Sequence, residues 1–215
     1  MNNNELPQFF DGDYYENGVG SGKSLYSNYR WMPELTIPMC HEIIWKMKID
    51  HDATVLDFGC AKGYLVKGMR LLNRKAFGVD ISKYAISEAD LEVENMVAAI
   101  IPGEEIKVGE LSEFDYVIAK DVLEHIPHDS LDQQLKVLRK AAKRMLVVVP
   151  LGDGEKYYIP SYEQDKSHFI REDLDWWQNK FEDAGFNIKE ATYDTGYLKT
   201  NWKQWEKGNG LYVLD

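Results

Sequence analysis

The chain has 215 residues, 44% of them hydrophobic and 28% charged, with a formal net charge of −11. That is apolar mass for a single core, and the acidic balance, with no lysine or arginine cluster to offset it, disfavours a nucleic-acid partner. No run of about 18 apolar residues exists to span a membrane, two cysteines make no disulfide framework, and MNNNELPQFF lacks the basic start and apolar stretch of a secretory signal, so a cytoplasmic protein is expected.

No repeat or low-complexity tract divides the chain. A single domain is expected, with an aromatic-rich leader over residues 1–48 ahead of an α/β unit over residues 49–215. The leader carries Phe9, Phe10, Tyr14, Tyr15, Tyr26, Tyr29 and Trp31, and the spacing of its apolar residues predicts a helix from Pro38 to Met47. The pattern then changes. Short runs (ATVLDFG, KAFGVD, FDYVIA, RMLVVVP) alternate with amphipathic stretches (YLVKGMRLLN, SKYAISEADLEV, SLDQQLKVLRKAAK). Near-continuous apolar runs separated by helices predict parallel strands covered on both faces. Another strand is expected at Glu105 to Gly109. Beyond Pro150 come a helix predicted from Arg171 to Ala184, stopped by Gly185, and two strand-like pieces, FNIKEATY and GLYVLD. Strands joined without a crossover helix pair antiparallel. The expected fold is α/β: a doubly wound, mostly parallel seven-stranded sheet with an antiparallel edge strand near the C-terminus, helices on both faces and an N-terminal helical lid.

Two glycine turns compete as ligand sites. The first, in ENGVGSGKSLYSNY, ends in Gly22-Lys23-Ser24, but a phosphate loop needs a glycine at position 17, which is Asn17, and a buried strand before it. It reads as a surface loop. The second, Val55-Leu56-Asp57-Phe58-Gly59-Cys60-Ala61-Lys62-Gly63, follows a strand and opens a helix. Gly59 permits a tight turn, Ala61 is small enough for a ligand to approach the backbone, and Gly63 lets the helix start close to the sheet. Asp80 ends the next strand, where nucleoside sites place an acid for the ribose hydroxyls; its structural alternative is a cap for the helix beginning near Ser82. The nicotinamide fingerprint Gly-x-Gly-x-x-Gly fails, since its last small position is Tyr64. Asp57 would repel a pyrophosphate but suits a ligand bearing an ammonium and a sulfonium, as S-adenosylmethionine does.

With these residues in view, the chain resembles the class I S-adenosylmethionine-dependent methyltransferases from about Ala53 to Pro150. VLDFGCAKGYL is similar to their first motif, with Ala61 in place of the more usual middle glycine, GVDIS to their second, and FDYVIAKDVLEHIP to their fourth-strand segment. The resemblance implies that Gly59, Cys60, Ala61 and Gly63 hold the methionine part, that Asp57 lies near its amino group and that Asp80, followed by Ile81, binds the ribose. It implies an acid near Glu110 for the adenine, and Lys120 and Asp121 lining the methionine end. Tyr26, Tyr29 and Arg30 are pocket candidates if the leader folds over the cofactor; the alternative is a helix packed on the core.

On the acceptor side, His125 lies beside the expected pocket, either facing a substrate or bonding a loop carbonyl. His128 stands three residues on, but Pro127 interrupts the helix that would align them, so no metal is expected. The segment LGDGEKYYIPSYEQDKSHFIREDLDWW follows the fifth strand and overhangs the carboxyl ends of the sheet. Tyr162, Asp165 and Arg171 are candidate acceptor contacts and His168 a candidate base. The alternative is that Asp165 and His168 cap the following helix while Arg171 pairs with a carboxylate. The expected activity is methyl transfer from S-adenosylmethionine to an oxygen or nitrogen of a small molecule, such as a sugar or an aromatic metabolite, by a monomer or homodimer. The competing readings are a non-catalytic S-adenosylmethionine-binding protein and a nicotinamide-dependent oxidoreductase.

Overall fold

The computed structural model describes residues 5–215; residues 1–4, the start of the leader, lie outside the described residues. Seven strands, β1 (Thr54–Phe58), β2 (Lys75–Asp80), β3 (Val97–Ala99), β4 (Phe114–Lys120), β5 (Ala142–Pro150), β6 (Ile188–Thr192) and β7 (Asn209–Leu214), form one sheet in the order β3-β2-β1-β4-β5-β7-β6. Pairing is parallel from β3 through β5, while β7 runs antiparallel between β5 and β6. The central strands are continuous in apolar residues because helices cover both sides. In β5 every residue from Met145 to Pro150 is buried.

The helices are α1 (Leu6–Phe9), α2 (Gly12–Glu16), α3 (Gly18–Ser21), α4 (Pro33–Met47), α5 (Tyr64–Leu71), α6 (Lys83–Ser87), α7 (His128–Ala141) and α8 (Leu174–Asp183). One core joins Cys40, Ile43 and Met47 of α4 with Val66 and Met69 of α5 over Val55, Ile118 and Leu146. The opposite core joins Leu131, Leu135 and Leu138 of α7 with Trp177 and Phe181 of α8 over Val117, Met145 and Val147. Helix α4 begins earlier than the spacing predicts, at Pro33, a residue whose fixed φ suits the first helical turn. Although α4 lies within the expected leader, it packs as part of the layered sheet.

The third strand corrects the sequence expectation. It lies at Val97–Ala99, paired with Gly78–Asp80, and not at Glu105–Gly109. The Ile-Lys-Val alternation that suggests a strand there arises because Ile106 and Val108 are buried from a loop, where Val108 forms only an isolated bridge to Leu111. The last helix starts at Leu174, three residues after the expected Arg171, because the Asp173 side chain accepts a hydrogen bond from the Trp176 backbone N–H at 2.8 Å.

Gly22-Lys23-Ser24 folds the leader back on itself. Gly22 ends α3 in the left-handed region, at φ 64°. Lys23 Nζ pairs with Asp11 at 2.6 Å, and the buried Ser24 hydroxyl donates to the Tyr14 carbonyl at 2.6 Å.

Candidate functional site

Two adjoining cavities open at the carboxyl ends of β1, β2 and β4, where open α/β sheets take ligands. The first, of about 770 Å³, is lined by the glycine turn, the ends of β1 and β2, and the leader. The turn is shaped by its backbone. Gly59 has φ 84°, and a Cβ there would lie 2.5 Å from Val122 Cγ2; Gly63 has φ 76° and begins α5. Between them Ala61, a residue with a Cβ, also adopts a positive φ of 48°. Its N–H donates to Asp80 Oδ2 at 2.8 Å, while Asp80 Oδ1 accepts from the Ser82 N–H at 2.8 Å. Asp80 thus ties the first glycine turn to the start of α6. The cap of α6 itself is Ser82, whose hydroxyl accepts from the Ala85 N–H.

Asp57 and Asp80 are both buried and both line this cavity. Burial, with the Asp80 charge beside it and Lys120 opposing, pushes Asp57 up to about 7. Burial also raises Asp80, opposed by the N–H groups of Ser82 and Ala61. Two desolvated carboxylates facing one empty volume disfavour each other's charge and favour a cationic guest. Cys60, Ile81, Lys120 and Asp121 line the same cavity.

Glu110 does not reach it. It sits in an exposed turn, because the third strand runs earlier than expected; Ile100, Pro102, Gly103 and Glu104 line that end instead. Sequence reading passes over Gln134, whose Oε1 accepts from the Gly103 N–H at 2.9 Å and whose Nε2 is buried without a partner facing this end.

The leader roofs the cavity. Tyr26, Tyr29 and Arg30 line it, joined by Phe10, Tyr14 and Tyr15. The Ser82 hydroxyl donates to the Phe10 carbonyl at 2.5 Å. Lys62 Nζ, in the glycine turn, pairs with Glu16 at 2.5 Å and donates to the Tyr29 carbonyl at 3.2 Å. Tyr29 packs edge-on against Tyr26 and tilted against Tyr64, with centroids 4.9 and 5.3 Å apart.

The second cavity, of about 480 Å³, shares Tyr14, Tyr26, Asp121 and His125 with the first and adds Glu124, Tyr162, Asp165, His168, Lys199 and Trp202. A chain of hydrogen bonds crosses its wall. Tyr14 donates its hydroxyl to Asp165 Oδ2 at 2.8 Å, Ser167 donates its N–H and hydroxyl to Asp165 Oδ1 at 2.9 and 2.5 Å, and His125 Nδ1 lies 2.7 Å from that hydroxyl oxygen. These bonds, with Asp173 capping α8, replace the capping role weighed for Asp165 and His168. Arg171 is a correction: it lines neither cavity, because its Nε pairs with Glu163 at 3.0 Å and its guanidinium lies over Tyr157.

Burial, and then the His125 ring, lowers His168 to about 3, so its imidazole is neutral at pH 7. Its Nδ1 is buried and has no hydrogen-bond partner among the described residues. Burial, with Asp121 nearby, raises Glu124 to about 8. Burial opposes ionisation of Asp121, but Lys120 and Lys199 outweigh it and hold that carboxyl well below the usual range. Lys199 is itself buried, donating to Tyr162 Oη at 2.7 Å and Asn209 Oδ1 at 2.8 Å. Glu124 and Lys199 carry weak sequence signals: the first stands beside His125 inside an apolar run, and the second lies in a long connection without periodicity.

A family model described as "Methyltransferase domain" matches residues 38–191. A ribosomal protein L11 methyltransferase of Staphylococcus haemolyticus is 30% identical over 169 residues, covering 76% of this chain and 46% of that protein. A ubiquinone biosynthesis O-methyltransferase of Alkalilimnicola ehrlichii is 25% identical over 158 residues, covering 65% and 64%. The chain therefore spans about half to two thirds of the length of these curated relatives. Among solved structures, the 1,6-didemethyltoxoflavin-N1-methyltransferase of Burkholderia thailandensis, with 1,6-didemethyltoxoflavin and S-adenosylhomocysteine bound, superimposes with a TM-score of 0.66 at 13% identity, covering 100% of this chain and 90% of that one. The cyclase SpnF also gives 0.66, at 10% identity and with 100% and 96% covered, so the architecture alone does not fix a reaction.

Proposed function

Because the chain belongs to the S-adenosylmethionine-dependent methyltransferases of the Rossmann-like class I fold, we propose that it transfers the cofactor's methyl group to an oxygen or nitrogen of a small-molecule acceptor. The observation that carries this reading is the pair of buried carboxylates, Asp57 and Asp80, at a glycine turn in a cavity that continues into a second, aromatic one. The first cavity fits the cofactor: its two buried acids, Asp57 and Asp80, disfavour each other's charge, which an ammonium and a sulfonium would relieve.

When bound, the cofactor supplies an electrophilic methyl group on positively charged sulfur. The chain's own residues do the rest. Asp57 holds the amino group, and Asp80 accepts from the ribose hydroxyls through lone pairs its two backbone bonds leave free. Gln134 Nε2 serves the adenine end, a role that replaces Glu110. The leader would cover the methionine part through Tyr26 and Tyr29 and exclude water. Fixing an acceptor in line with the methyl group can supply about 7–11 kcal/mol of the barrier at best.

The second cavity receives the acceptor. Tyr26, Tyr162 and Trp202 offer ring faces suited to an aromatic metabolite. His168, a neutral imidazole on this cavity's wall, is the polar side chain placed to serve an acceptor hydroxyl or amine. The likeness to O-methyltransferases of ubiquinone biosynthesis favours oxygen as the atom methylated.

Calorimetry with S-adenosylmethionine and S-adenosylhomocysteine, followed by a panel of hydroxylated and amino aromatic acceptors read by S-adenosylhomocysteine release, tests the proposal. Absence of cofactor binding refutes it, whereas binding without turnover on any acceptor favours a non-catalytic role. His168→Ala is expected to lower turnover at least 100-fold while cofactor affinity stays within twofold.

A further inference from the structure

Within the second cavity, Glu124, His125 and His168 each present a ligand atom, all within 4.8 Å of one another. The two histidines come from different parts of the fold, the helical turn after β4 and the loop after β5, with ring centroids 4.6 Å apart. Glu124 is 1% exposed, and among the described residues its Oε2 has no hydrogen-bond partner. A buried acid of this kind is kept neutral, paired or bound to a metal. Asp121 takes up the two lysines of this wall, Lys120 and Lys199. Among the described residues no lysine or arginine lies in an ion pair with Glu124, whose Oε1 is 4.0 Å from His125 Nε2.

The hydrogen-bond chain fixes what His125 offers. Ser167 has one hydroxyl proton, and it goes to Asp165 Oδ1 at 2.5 Å. The Ser167 oxygen can therefore only accept from His125, so Nδ1 carries the proton and Nε2 keeps a free lone pair toward Glu124. An imidazole that donates through one nitrogen to a carboxylate-linked hydroxyl and leaves the other bare has the support typical of a metal ligand. His168 adds a second neutral imidazole, with Nδ1 buried and unpartnered.

From this convergence we propose that Glu124, His125 and His168 bind one divalent first-row transition cation, zinc being the representative, with its remaining positions open to the second cavity. Two imidazole nitrogens and one carboxylate oxygen suit zinc, iron, cobalt or manganese rather than magnesium, which prefers oxygen ligands. Three protein ligands leave room for a further one, as at catalytic zinc sites. Modest inward movement of the three side chains brings them to coordination distances of about 2.0–2.2 Å. The binding claim stands on its own; only the cation's task, orienting an acceptor hydroxyl beside the first cavity, rests on the methyl-transfer reading.

The test is titration of the metal-free full-length chain with Zn²⁺ by calorimetry and with Co²⁺ by visible absorption. The expected result is one site per chain, with Co²⁺ bands typical of nitrogen and oxygen ligands, and at least a tenfold weaker site in Glu124→Gln and in His168→Gln. Thermal unfolding of each metal-free variant reports that the fold is intact, and His125→Gln supplies a third variant should one of these fail that check. Absence of a site tighter than millimolar overturns the proposal, as does a site undiminished in the folded variants. Loss of cofactor binding in the unmodified chain instead refutes the methyltransferase reading and leaves the metal result to stand or fall by itself.

Discussion

The Asp80 carboxylate and the Ala61 backbone N–H are joined at 2.8 Å, so the acid closing β2 also holds the glycine turn after β1 in shape. Asp80 is therefore structural and ligand-facing together. Asp80→Ala strands two buried N–H groups, those of Ala61 and Ser82, each costing about 1–3 kcal/mol. The variant is expected to lose both stability, read by thermal unfolding, and at least tenfold in cofactor affinity, read by calorimetry. Unchanged affinity in a folded variant removes Asp80 from the ribose.

Ala61 occupies backbone that favours glycine, at φ 48°, yet its methyl packs with Phe10, Tyr14 and Ala85. A left-handed residue with a Cβ costs about 1–2 kcal/mol, while the buried methyl contributes about 0.8 kcal/mol and glycine adds freedom to the unfolded chain. These terms nearly cancel. Ala61→Gly should therefore change stability by no more than about 1 kcal/mol, whereas Ala61→Val, branched in this region, should lower the melting temperature by several degrees. Denaturant unfolding of the two variants decides it.

Much of this geometry was legible beforehand, for a physical reason. Buried parallel strands must be continuous in apolar residues, so β1, β2, β4 and β5 announce themselves, and the turns that follow them need Gly59 and Gly63. Strand β3 is three residues long at the parallel edge of the sheet, and Val-Ala-Ala carries little signal. With that short strand carrying no signal, the sequence expectation falls on Glu110, whereas Gln134 and Gly103 line that end of the cavity. Glu124 and Lys199 stayed hidden because their environment is made by distant segments: the backbone of Glu124 is held by Phe169 and Ile170, and Lys199 by Tyr162 and Asn209. Burial of a charge is a tertiary fact.

The raised Asp57 carboxyl predicts that cofactor binding depends on pH. Its pKa is raised to about 7 in the ligand-free fold, and a cationic guest lowers it, so binding near neutrality releases a proton. Affinity for S-adenosylmethionine is expected to rise between pH 6 and 8, and Asp57→Asn to flatten that rise; calorimetry in buffers of different ionisation heat measures the proton. The sign for the ligand-free protein is opposite. A folded pKa above the unfolded value gives stability that is lost as pH rises through about 7, and Glu124 adds the same sign near 8. His125 and His168, lowered below 6.5, stop contributing above that pH. Thermal stability without ligand should therefore fall from pH 6.5 to 8.5 while the ligand-induced increase grows.

Lys62 faces away from the cavity yet latches its roof, pairing with Glu16 and the Tyr29 carbonyl. The pair is largely shielded, with the lysine side chain 9% exposed and the glutamate 37%. Lys62→Met should loosen α2 and the Tyr26–Tyr29 segment without altering the glycine turn. Faster protease cleavage within residues 5–31 and a several-fold loss of cofactor affinity are expected. An unchanged digestion pattern would show that the aromatic contacts hold the leader unaided.

Tyr14 touches both cavities, and its hydroxyl donates to Asp165, the carboxylate that also holds Ser167 and, through it, His125. Burial, and then the Asp165 charge, raises the phenol well above its ordinary value, so it remains a donor at every working pH. Tyr14→Phe keeps the ring against Phe10 and Tyr15 but removes one of three donors to Asp165. A buried hydrogen bond to a charged group contributes about 1.5–3 kcal/mol, which is the expected loss in denaturant unfolding. The cofactor acids are not part of this chain of bonds, so S-adenosylmethionine affinity should change less than threefold. The acceptor side should suffer: with Asp165 less firmly held, Ser167 and His125 gain freedom, and turnover should fall more than cofactor affinity. Equal losses in both would mean that Tyr14 acts on the roof as a whole and not through Asp165.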